Sequence, residues 1–105
     1  MRVEHIALYV NDLEGAKEFF EKYFSAKSGV LYSNPKKGFK SYFLSFDDGS
    51  RLELMNSDSV CKTGKAFGHL GYAHIAFSVG SKEKVDLLTE RLRATPHISR
   101  FSRRI

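Results

Sequence analysis

Apolar and polar residues alternate along positions 3–10. Ile6, Leu8 and Val10 fall on one side, and His5, Ala7 and Tyr9 on the other, which is the period of a half-buried strand. The period then changes. Leu13, Ala16, Phe19, Phe20 and Tyr23 recur at three- and four-residue spacing and predict an amphipathic helix over 12–24. Asn11 and Asp12 are good caps for it, and Asn11 with Glu14 has capping-box spacing. A second strand is expected over Gly29–Ser33, a turn over 34–38, a strand over 39–46, a hairpin turn at Asp47-Asp48-Gly49 and a fourth strand over 50–56. The predicted order is β-α-β-β-β.

The beginning of this pattern occurs twice. HIALYV starts at His5 and HIAFSV at His74, an offset of 69 residues. Over residues 5–24 and 74–93 the two copies share six identities: His5/His74, Ile6/Ile75, Ala7/Ala76, Val10/Val79, Glu14/Glu83 and Glu21/Glu90. The second copy predicts a strand over 73–79 and a helix over 81–93, capped by Ser81, with Val85, Leu88 and Leu92 as its stripe. One domain over 1–105 is expected: a first module at 1–56, a polar linker at 57–72 and a partial second module at 73–105.

Alternation also assigns faces. Ile6, Leu8 and Val10 should pack beneath the first helix, and Leu52 and Leu54 beside them. His5 and Glu53 are then left on the opposite face, and His74 takes the equivalent place in the repeat. A lone strand histidine is usually structural. Two at equivalent repeat positions, with a carboxylate on the same face, make a candidate donor set.

Bulk composition alters this picture little. The 105 residues are 42% hydrophobic and 28% charged, ordinary for a globular domain. No apolar run is long enough for a membrane span, and the first residues lack a secretory layout, so a cytoplasmic protein without membrane contact is expected. Cys61 is the only cysteine, which leaves no disulfide framework. The net charge of +5 is concentrated at the end, where Arg100, Arg103 and Arg104 supply three of the five charges. With no nucleic-acid motif elsewhere, that tail reads as solvated rather than as a nucleic-acid surface.

HIALYVNDLEGAKEFFEKYF, SRLELMN and GHLGYAHIAFSV together resemble the vicinal-oxygen-chelate superfamily, which includes glyoxalase I, extradiol dioxygenases, fosfomycin-resistance enzymes and bleomycin-resistance proteins. The resemblance covers about residues 1 to 94. It implies an α+β fold of paired β-α-β-β-β modules forming a cupped mixed sheet, with the second module incomplete here. It also implies that His5, Glu53 and His74 hold a divalent metal (Zn, Ni, Fe or Mn), a set whose nitrogen and oxygen donors suit such ions. The fourth ligand position, one repeat beyond Glu53, lies past Ile105, which points to a C-terminally truncated member.

The function implied is lactoylglutathione lyase-like isomerisation of a small oxygen-chelating substrate, with Glu53 also catalytic and with turnover impaired by truncation. A dioxygenase relative ranks lower. The alternative is a non-catalytic, bleomycin-resistance-like homodimer that binds a small molecule, for which Tyr9, Phe43 and Met55 are the candidate lining residues. Exposed edges left by an incomplete second module favour a homodimer in either case.

Overall fold

The computed structural model describes residues 1–59 and 75–95. The chain divides into two compact units, Met1–Gly64 and Lys65–Ile105. The first holds β1 (His5–Tyr9), α1 (Leu13–Phe24), β2 (Lys27–Ser28), β3 (Tyr32–Asn34), a 3₁₀ turn (Pro35–Lys37), β4 (Phe39–Ser45) and β5 (Arg51–Ser57). The second holds α2 (Lys82–Arg93).

In the first unit the strands lie in the order β1-β5-β4-β2, with β3 also on β4. β1 runs parallel to β5, and the other pairings are antiparallel. Register sets the core. Ile6, Leu52 and Leu44 form one cross-strand row, and Leu8, Leu54 and Tyr42 the next. Side chains opposite one another in a ladder share a face, so both rows meet Leu13, Ala16 and Phe20 of α1, and Ala26 completes the cluster. Leu44 and Leu54 are fully buried, both at 0% exposure.

α1 is fastened at both ends. The Gly15 amide donates to Asp12 Oδ1 at 3.0 Å, so Asp12 is the cap, not Asn11. Glu14 does not close the expected capping box; its carboxylate accepts from the Tyr42 hydroxyl at 2.5 Å, which ties the helix to β4. That hydrogen bond, above all, favours the protonated phenol and raises the Tyr42 pKa. At the other end Ser25 is left-handed (φ 56°), and Ala26 N–H returns to Phe20 O at 3.2 Å.

The single strand expected over Gly29–Ser33 is replaced by two short ones, β2 before it and β3 overlapping its end, with 29–31 outside both. Ser28 pairs with Leu44 and Tyr32 with Ser41, so one side advances four residues while β4 advances three. The surplus residue is taken up by a bulge in which Val30 is 93% exposed. After β3, Gly38 (φ 60°) turns the chain into β4. A side chain there would be strained by the left-handed backbone and would collide with the Asp58 carboxylate. Gly38→Ala is expected to cost about 1–3 kcal/mol, measured as a fall in the urea unfolding midpoint.

In the second unit Ser81 caps α2 by accepting from the Lys84 amide at 3.2 Å. Leu92 and Thr89 are buried, while Val85 and Leu88 are half-buried. The strand expected over 73–79 does not form at 75–79, where Ile75 and Phe77 are 39% and 36% exposed. A strand needs a neighbour for its backbone groups. β1 has β5, whereas no described residue offers 75–79 an equivalent ladder. Most of the linker, with Cys61 and His69, lies outside the described residues, as do His74 and the tail from residue 96 with His97 and its arginines.

Candidate functional site

Because Leu52 and Leu54 turn toward α1, the residues between them turn away. On the face of the sheet distal to α1, Ala7, Glu53 and Phe43 share one cross-strand row, Tyr9, Met55 and Ser41 the next, and His5 and Arg51 stand opposite one another at the end. Two of the three expected metal donors therefore meet. His5 Nε2 lies 3.8 Å from Glu53 Oε1, too far for a hydrogen bond. The third, His74, is outside the described residues. Tyr9, Phe43 and Met55 all lie on the same face; Tyr9 is the most open at 52% exposure.

The donor chemistry fits a divalent ion. Bonds from imidazole nitrogen and carboxylate oxygen to such an ion are about 2.0–2.2 Å. Two of these together exceed the 3.8 Å separation, so one ion between His5 Nε2 and Glu53 Oε1 can reach both. Among the described residues no group of three or more His, Cys, Asp and Glu side chains converges on one point.

Two further residues shape the site, and neither was predicted as part of it. Glu4 Oε1 is 2.7 Å from His5 Nδ1, and Arg51 holds both oxygens of the same carboxylate through Nε and a terminal nitrogen, each at 2.8 Å. Arg51 also stacks over the Phe43 ring at 4.3 Å, and the Phe43 ring meets the His5 ring edge-on at 4.9 Å. Phe43 thus packs the imidazole as well as lining the face. Adjacent strand residues normally point to opposite faces. Glu4 escapes that rule because β1 begins at His5, and the one available signal was Arg51 at the end of a neighbouring strand.

The hydrogen bonds from Arg51 first, and from His5 second, hold the Glu4 carboxyl down to about 2, from an ordinary 4.5. A depressed carboxylate stabilises the fold above its unfolded pKa and loses that contribution as pH falls through the folded value. Acidification from about pH 4.5 to about 2 should therefore lower the urea midpoint of the native chain. Glu4→Gln should lack that part of the decline.

Further along the face, Tyr32, Asn34, Lys37, Phe39, Ser57 and Ser59 line a cavity of about 540 Å³. Ser57 is four residues beyond Glu53 on β5, which places this cavity about 13 Å along the strand.

This arrangement defines an α+β protein built on a β-α-β-β-β unit with polar donors on the face away from its helix. Residues 2–96 match the profile of the Glyoxalase/Bleomycin resistance protein/Dioxygenase superfamily, and the chain belongs to that family. Solved structures agree. The genomically encoded fosfomycin resistance protein FosX from Listeria monocytogenes is 28% identical, with a TM-score of 0.66 over 89% of this chain and 68% of its own. A possible glyoxalase from Bacillus cereus is 32% identical, with a TM-score of 0.65 over 89% of this chain and 72% of its own. The trypanothione-dependent glyoxalase I of Leishmania major, at 23% identity and a TM-score of 0.71 over 89% of this chain and 65% of its own, shares the fold. No curated protein sequence matches at a significant level. Among the described residues, no helix is long and apolar enough to cross a membrane.

Proposed function

We propose that the chain is a metalloprotein that isomerises a small oxygen-chelating substrate, in the manner of a lactoylglutathione lyase, at a divalent ion held by His5, Glu53 and His74. The observation that carries this reading is the approach of His5 Nε2 to Glu53 Oε1, at a spacing one ion bridges. A bound ion would supply Lewis-acid polarisation of two neighbouring substrate oxygens. His5 contributes a neutral nitrogen donor, and Glu53 a carboxylate whose side chain is only 16% exposed. In this reading Glu53 also takes a proton from the substrate carbon and returns it to the adjacent one. Tyr9, Phe43 and Met55 provide the apolar surround, and the cavity about 13 Å along β5 from Glu53 has room for the rest of an elongated substrate.

FosX was solved with Mn(II), which makes Mn(II) the first ion to try, followed by Ni(II), Zn(II) and Fe(II). The protein is proposed to act in the cytoplasm as a homodimer. Dialysis of the purified chain against each ion, followed by metal analysis, tests the reading. One ion per chain, lost in Glu53→Ala, supports it; a chain that retains none of the four ions overturns it. A second reading, a non-catalytic dimer that binds a planar ligand, is favoured by the exposed Tyr9 beside Met55 and Phe43 on the same face. Ligand binding that is indifferent to chelator would select it.

A further inference from the structure

His5 is held at one nitrogen only. Its Nδ1 is 2.7 Å from Glu4 Oε1, while Nε2 faces Glu53 without a hydrogen bond. An ionised carboxylate can only accept, so a neutral imidazole bonded to it must carry its proton on Nδ1 and leave the lone pair on Nε2. An unassisted imidazole in water favours the reverse, with the proton on Nε2. The structure assigns Glu4 as a positioning residue for His5: it fixes the tautomer that turns a lone pair toward Glu53, and Arg51 locks Glu4 in that pose.

Three contacts distinguish this from an incidental surface ion pair. Arg51 grips Glu4 through two bonds of 2.8 Å, the bidentate geometry that fixes the plane of a carboxylate. Arg51 and His5 are cross-strand partners in the β1–β5 ladder, so the backbone sets the spacing of the clamp. Phe43 then closes a ring of four side chains, meeting the His5 imidazole in a T-shaped contact and carrying the Arg51 guanidinium on its face. The imidazole can neither flip nor tilt without breaking one of these contacts. A histidine that ligates a metal usually donates a hydrogen bond from its other ring N–H to a carboxylate or carbonyl in this way, which orients the ring and raises its basicity.

The inference rests on the proposed metal site, but its first test needs no metal. In the ¹⁵N-labelled, metal-free chain at about pH 8.5, where imidazole is neutral, long-range ¹H–¹⁵N spectra should show His5 with a pyrrole-type Nδ1 and a pyridine-type Nε2. Glu4→Ala should move the ring to the Nε2-protonated form, and Glu4→Gln, which keeps a neutral acceptor of the same shape, should give an intermediate mixture. In a second arm, Glu4→Ala and Arg51→Ala should each weaken Mn(II) binding by about 10–100-fold, with circular dichroism unchanged. An Nε2-protonated His5 in the native chain, or a tautomer unmoved by Glu4→Ala, overturns the assignment, as does Mn(II) affinity unchanged by both substitutions. The expected tautomer in a chain that binds no Mn(II) upholds the positioning role and counts against the metal reading alone.

Discussion

Leu54→Ala is expected to cost about 2–5 kcal/mol, set against the roughly 5–15 kcal/mol that holds a typical domain folded. Leu54 has 0% exposure and sits in the middle row of the sheet, between Leu8 on β1 and Tyr42 on β4, with α1 above. Removing its isopropyl group leaves a cavity that no neighbouring element is free to fill. β5 is paired on both edges, and α1 is fixed by the Asp12 cap and the Glu14–Tyr42 bond. Leu13→Ala, at the rim of the same cluster and 7% exposed, should cost less because solvent and side-chain relaxation fill part of the gap. Urea unfolding at neutral pH measures both. Equal losses at the two positions would mean that the sheet adjusts to the cavity and that the core is softer than its burial indicates.

The same row explains what could be read from the sequence. Once Leu52 and Leu54 are taken as core, a period of two compels Glu53 to the other face. The same alternation fixes His5 against Ile6 and Leu8. What alternation cannot supply is pairing. The bulge between β2 and β3 follows from a ladder that advances four residues on one side and three on the other, which no single strand reveals. Residues 75–79 repeat the pattern of β1 yet form no strand, because pattern does not provide a partner. The Glu4–His5–Arg51 clamp depends on both limits at once. A residue just outside a strand is freed from its alternation, and a cross-strand neighbour becomes known only with the register. His74, the third expected donor, was legible from the repeat of the HIA strand and lies outside the described residues.

Those two placed groups yield the sharpest expected result. If His5 and Glu53 share one ion, His5→Ala should weaken Mn(II) binding by more than the ~10–100-fold that removal of an outer partner such as Glu4 costs. Glu53→Ala should do the same, and the double variant should be little worse than either single one. Loss of one donor already removes most of the site, so little affinity is left for the second substitution to destroy. Independent weak sites would instead give additive losses, and two polar residues on a wet sheet face would give none. Catalysis separates the roles further. Glu53→Gln keeps an oxygen donor but cannot accept a proton, so any isomerisation of a hemithioacetal by the native chain should fall about 10²–10⁴-fold even at saturating Mn(II). His5→Ala activity, by contrast, should be partly recovered by raising the metal concentration, because the base survives in that variant. A Glu53→Gln chain that turns over at the native rate would remove Glu53 from proton transfer and leave it a metal ligand only.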